Sequence, residues 1–264
     1  MPYESRIMKI DFCSDVGSSF GKYRIGEDEE VMKYITSANI DCGWHAGDPV
    51  VMDRTVNLAM QNDVNVGAHP GFPDPLGFGQ RNMDCTQNEI IQYILYQLGA
   101  LQAFCTANKT SLTHVKPAGN LYLMAVEHKD VAEACAEAIF RFDPNLVFVT
   151  LAGQKGDMMS EIGKKASLRV AREFFADREY TSEGTLVSRR LPGSLITDAV
   201  QAAERVLMVL EENRLIASDG TTLQIKANTI CIHSFQSGSA AMARSIREIL
   251  ERNSVTFEAM DRLV

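Results

Sequence analysis

Short apolar runs alternate with amphipathic segments along nearly the whole chain, and this alternation decides what it can fold into. The runs at 6–12, 36–42, 64–69, 112–117, 145–153, 168–175 and 228–234 read as strands. Each is short and bounded by turn residues. Between and after them, 27–35, 48–62, 86–108, 130–142, 156–166, 198–213 and 239–253 carry helical patterning. Asp48 followed by Pro49 gives one helix an N-cap and a first-turn proline. Acidic residues open the helix at 27–35, where the helix dipole favours them. Strands that alternate with helices at this spacing must run parallel and be joined by crossovers. "NLVFVTLAG" (145–153) is apolar on both faces, as a covered parallel strand should be. Seven such units without a break in composition predict an α/β fold: one domain over 1–264, a seven-stranded (β/α) TIM-like barrel. An open doubly wound sheet is the alternative. A further strand could lie at 255–260.

Composition narrows the function. Hydrophobic residues make up 45% and charged residues 23%, so a packed core is expected rather than disorder. The net charge is −8 and no lysine or arginine run occurs, which argues against nucleic acid as a partner. No apolar run reaches membrane-spanning length, so no membrane partner is expected. "MPYESRIMKIDF" lacks the basic-then-apolar pattern of a secretory leader. The 6 cysteines form no C-x-x-C pair, which fits a reduced, cytoplasmic protein without a structural zinc site.

The unusual polar residues collect at the C-terminal ends of the strands, where β/α barrels build their sites. Of the 5 histidines, His45, His69, His114 and His233 lie at such ends, and only His128 sits elsewhere. One histidine at a strand end is commonly a packed core residue. Four at the ends of parallel strands would face one mouth. Asp11 and Asp15 could act as general acid and base, with His45, His69 and His114 beside them. Asp15, His45, Asp48 and His69 have the chemistry to hold a divalent metal, although Asp48 also reads as a helix cap. Lys116 and Arg178 could hold a carboxylate or phosphate, or form ordinary ion pairs with Glu173 or Asp177. There is no phosphate-binding G-x-x-x-x-G-K-[ST] loop, no G-x-S-x-G elbow and no H-E-x-x-H pair.

Seven motifs then occur in order: "KIDFCSDVGSSFG", "SANIDCGWHAGD", "VGAHPGFPDPLGFGQR", "LYQLGALQAF", "HVKPAGNLY", "FADREYTSEGTLV" and "CIHS". Together they resemble the LamB/YcsF family over about residues 9–252. The resemblance implies a barrel related to the sugar and polysaccharide deacetylase fold. It implies the A component of an ATP-dependent 5-oxoprolinase, which opens the lactam 5-oxo-L-proline to L-glutamate. It also implies B- and C-type partner subunits, ATP as a cofactor and a small-molecule substrate. Carried over residue by residue, it marks Asp11, Asp15, His45, His69 and His114 for catalysis. Lys116, Arg81, Arg178, Tyr180, Tyr122 and His233 are marked for binding substrate or ATP.

The motifs also depart from the family pattern. Cys13 stands where the family has asparagine, Ser18 for glutamate, Ala118 for histidine, Leu123 for asparagine and Phe235 for aspartate. Five polar positions have changed while the scaffold motifs persist. Three readings follow: an A component with the family's activity, a divergent enzyme for another lactam or amide, or a non-catalytic ligand-binding homologue. Fold alone does not choose among them.

Overall fold

A computed structural model describes residues 8–264. Arg6 and Ile7 of the first expected strand lie outside the described residues. The elements run β1 (Met8–Val16), α1 (Asp28–Val31), β2 (Ser37–Asp41), α2 (Pro49–Gln61), β3 (Asn65–His69), α3 (Gln87–Ala107) and β4 (Leu112–Val115). They continue with α4 (Gly119–Glu127), α5 (Lys129–Phe142), β5 (Val147–Leu151), α6 (Asp157–Lys165), β6 (Arg169–Phe175) and α7 (Ala199–Glu212). The chain then forms β7 (Arg214–Ile216), β8 (Thr222–Gln224), β9 (Thr229–His233), α8 (Ser239–Arg252) and β10 (Val255–Phe257).

Strands β1 to β6 pair in sequence order, β6 pairs with β9, and β9 pairs back to β1, all parallel. This is the closed seven-stranded barrel expected from the sequence. Strand β10 lies outside the ring and pairs with Met8–Ile10 of β1. Outward-facing strand residues such as Phe12, Ile40, Ala68 and Ile230 pack into one apolar core with the surrounding helices. Two helix starts follow the chemistry of their sequences. The Asp48 carboxylate accepts from the amides of Val50 and Val51, and Thr86 forms a capping box with Glu89. No described helix is long and apolar enough to cross a membrane, and all six thiols are free.

Four features differ from expectation. Strand β1 runs on to Val16 instead of ending at residue 12. The polar residues there point into the barrel and are satisfied inside it, so they do not start a turn. The helix expected over 27–35 is a single turn, α1. The Asp28 carboxylate accepts from the Gly17 amide and the Ser234 hydroxyl, and Glu27 accepts from the amides of Gly238 and Ala240. These contacts bolt the segment across two loops and hold it short. The antiparallel hairpin β7–β8 and the helix α4 were not expected at all. The hairpin strands are three residues each and α4 starts at Gly119 without a side-chain cap, so neither carries a local start signal.

Candidate functional site

Period-two alternation turns one face of every barrel strand inward. In this chain that face is polar in three layers. Asp11, Ser37 and Thr229 meet at the lower end, where Asp11 accepts from Ser37 (2.6 Å), Thr36 (2.7 Å) and Thr229 (2.5 Å). Cys13, Asn39, His114, Glu173 and Cys231 fill the middle. Asp15, Asp41, His69, Lys116, Phe175 and His233 form the upper layer, which opens on a cavity at the C-terminal mouth. The cavity encloses about 570 Å³, including the solvent at its opening.

Lys116 ties the layers together. Its ammonium lies 2.7 Å from Asp15 and 2.7 Å from Glu173, 3.3 Å from the Cys231 sulfur, and over the Phe175 ring at 4.8 Å. Burial opposes its charge, but Asp15, Cys231 and Glu173 hold its pKa well above the usual lysine value. It is a permanent cation. Burial likewise opposes ionisation of Asp15, yet His69 and Lys116 hold that carboxyl well below the usual carboxylate range. The Asp15 carboxylate is the hub of the upper layer: His69 Nε2 lies 3.4 Å away and His233 Nε2 3.7 Å away.

Each of these histidines is fixed through its other nitrogen. His69 Nδ1–H donates to the Lys116 carbonyl at 2.8 Å. His233 Nδ1 lies 2.8 Å from Asp177 Oδ2, and the ring stacks on Phe175. The Asp177 carboxylate also accepts from the His233 amide, and His233 holds its pKa down against the effect of burial. In both rings Nε2 is thereby left facing Asp15 and the cavity. His45, on the turn after β2, places Nε2 2.8 Å from Asp41 Oδ1 and sets its ring edge-on to His69 and Phe78.

The rest of the cavity wall is mostly aromatic and aliphatic, with Tyr122, Phe78, Leu123, Leu186 and Phe235 beside the polar Ser18 and Gln80. Two guanidinium groups stand at the rim. Arg178 donates to the carbonyls of Val187 (2.6 Å) and Ser194 (3.3 Å), and burial with the nearby Arg189 brings its pKa down to about 10. Arg189 lies over the Phe235 ring at 5.1 Å and has no acidic partner within ion-pair distance among the described residues.

The structure brings Asp15, His45, His69, Lys116, Arg178, Tyr122 and His233 to one cavity. It places five other expected site residues elsewhere. Asp11 lies two layers below the mouth, because β1 is longer than expected. His114 is sealed in the middle layer: its Nε2–H donates to Asn39, whose amide donates to Asp15. Burial, with Lys116 and His69, lowers its pKa to about 3, so the ring is neutral and positions Asp15 through Asn39. Its fit requires Gly67, where any Cβ would collide with the His114 imidazole. Asp48 is consumed by the α2 amides and by the Gly21 amide (2.7 Å). The Arg81 side chain is 63% exposed and clamps Asp74 in its own loop. The Tyr180 hydroxyl accepts from the Phe175 amide, and the ring stacks on Phe174 below the cavity. Asp41 and Arg189 are cavity residues that the sequence reading missed.

A family model described as LamB/YcsF matches residues 10–264. The chain belongs to the LamB/YcsF family. A protein of Alkaliphilus metalliredigens, named as the A subunit of 5-oxoprolinase, is 48% identical over 97% of this chain and 99% of its own length. One of the same name from Pyrococcus horikoshii is 47% identical, over 97% of this chain and all of its own. The crystal structure of the lactam utilization protein from Thermus thermophilus superposes with a TM-score of 0.88 at 42% identity, covering 96% of this chain and all of the other. Of the five positions where this LamB/YcsF chain departs from the motifs, Ser18, Leu123 and Phe235 line the cavity. Cys13 is fully buried in the layer below, and Ala118 is fully buried between the lining residues Pro117 and Gly119.

Proposed function

We propose that this LamB/YcsF barrel is the A component of a 5-oxoprolinase, hydrolysing the lactam bond of 5-oxo-L-proline to give L-glutamate. The observation that carries the reading is full-length identity near 48% to proteins of that name, in a chain that keeps a buried Asp15–Lys116–His69–His233 constellation at the barrel mouth. The chemistry of the cavity suits the substrate. A five-membered ring fits walls of Phe78, Leu123, Phe175 and Phe235, and its carboxylate suits Arg189 at the rim.

Asp15 and His233 bracket a point where water can be held and deprotonated, with Asp177 fixing the His233 ring. Lys116 keeps Asp15 ionised for that task. ATP, the expected cofactor, supplies activation of an unstrained amide that water alone attacks slowly. With Arg189 assigned to the substrate carboxylate, Arg178 is the other rim cation suited to its phosphates. B- and C-type partner subunits, a cytoplasmic location and a single functional domain over 1–264 complete the proposal.

A second reading has its own observation. Leu123 and Phe235 line the cavity where the family has polar residues, which suits a bulkier or less polar cyclic amide. Calorimetric titration of the purified protein with 5-oxo-L-proline and with larger lactams separates the two. Saturable binding of 5-oxo-L-proline, weakened tenfold or more by Arg189→Ala, supports the first. Preference for a larger lactam replaces it with the second. Silence towards every lactam, in folded protein, would refute both.

A further inference from the structure

The barrel interior contains two clusters with metal-ligand chemistry, and they differ in one respect. Cys13, Glu173 and Cys231 surround the Lys116 ammonium, which already supplies a cation. Asp41, His45 and His69 also bring one ligand atom each within 4.8 Å of one another, but enclose no cation. We propose that Asp41, His45 and His69 form a binding site for a divalent transition-metal ion on the floor of the cavity.

Four observations support the assignment. All three residues are at least 95% buried. The Asp41 Oδ1 atom is buried without a hydrogen-bond donor, although it lies 2.8 Å from His45 Nε2. Buried carboxylate oxygens are rarely left so. Neighbouring ligands of an ion at about 2.1 Å stand about 3.0–3.4 Å apart, close to the 2.8 Å between Asp41 Oδ1 and His45 Nε2.

The outer contacts orient the donors as metal sites do. Ser18 donates to Asp41 Oδ2, which leaves Oδ1 free. His69 donates through Nδ1 to the Lys116 carbonyl, which leaves Nε2 turned inward. Charge points the same way. Asp15 is paired with Lys116, His69 and His233, whereas Asp41 has no lysine or arginine partner among the described residues. A divalent ion would balance the buried Asp41 carboxylate.

Two imidazoles and one carboxylate favour zinc, cobalt, iron or manganese over calcium or magnesium. Three protein ligands leave positions open to the cavity, the pattern of a reactive site rather than a structural one. The site lies in the proposed lactam pocket but stands independently of that reading, because its test uses the metal alone.

The experiment is titration of chelator-stripped, full-length protein with Co²⁺, followed by visible absorption and calorimetry, then competition with Zn²⁺. One ion should bind per chain with the d–d bands of a low-coordinate site. Asp41→Asn and His45→Gln should each weaken binding tenfold or more, with circular dichroism confirming the fold. Asp48→Asn should bind like the wild type, since asparagine still caps α2. Absence of one-to-one binding by the folded wild type would overturn the proposal. So would binding that survives both Asp41→Asn and His45→Gln, or that is lost only in Asp48→Asn.

Discussion

Asp11 sets burial against hydrogen bonding within one side chain. Its carboxyl is fully buried and accepts from three hydroxyls and the Met260 amide. Burial raises its pKa and the hydrogen bonds lower it. Burial wins, and the value moves from 3.8 to about 6. The folded chain therefore holds the proton more tightly than the unfolded chain does. The group's contribution to stability is fully present below about pH 3.8 and is lost as pH rises through about 6. At 1.36 kcal/mol per unit the whole change is about 3 kcal/mol. About 1 kcal/mol of it falls between pH 5 and pH 8 by the linkage relation. Asp11→Asn has no proton to lose. The stability of wild type minus variant, from denaturant unfolding at several pH values, should fall by about 1 kcal/mol from pH 5 to 8. The subtraction cancels the groups common to both chains. In thermal unfolding the same difference is roughly 2–4 °C for a chain of this size. A flat difference would mean that the four hydrogen bonds offset burial fully. A difference that grows with pH would mean that they outweigh it.

Other substitutions test the interior. Lys116→Met strands Asp15 and Glu173 without their shared cation and should lose about 3–5 kcal/mol in equilibrium unfolding; stability equal to the wild type at pH 7.5 would refute the ion-pair account. Gly67→Ala puts a Cβ into the His114 ring and should cost more than about 2 kcal/mol. Its control, Gly99→Ala on the open face of α3, should stabilise by about 1 kcal/mol. Asp177→Asn removes the charge that fixes the His233 ring and should lower kcat about 100-fold or more with little change in KM. An unchanged kcat would remove His233 from the chemistry.

The barrel could be read from the sequence because its strand–helix alternation is regular, and helix starts such as Asp48–Pro49 and Thr86–Glu89 carry local signals. The site could be read only in part, because polar residues at a strand's end and polar residues inside a barrel look alike in one dimension. Asp11 and His114 were drawn toward the mouth for that reason. A usable signal does exist. Asp11, Cys13 and Asp15 alternate with Ile10, Phe12, Ser14 and Val16, of which only Ser14 is polar, and Ser37, Asn39 and Asp41 alternate with Ala38 and Ile40. Thr229, Cys231 and His233 alternate with Ile230 and Ile232. That period-two pattern marks an inward polar face and would have found Asp41. Arg189 had no such signal, since it sits in an aperiodic loop that only the folded chain brings over Phe235. The short β7–β8 hairpin and the single-turn α1 depend on tertiary contacts that no local pattern carries.

Glutamate release tests the proposed activity most directly. The purified protein, mixed with B- and C-type 5-oxoprolinase subunits, should convert 5-oxo-L-proline to glutamate with consumption of ATP. The reaction should require every component and stop with Asp15→Asn. If a relative named as the A subunit of 5-oxoprolinase turns over substrate in the same mixture while this folded chain releases no glutamate, the 5-oxoprolinase reading is contradicted.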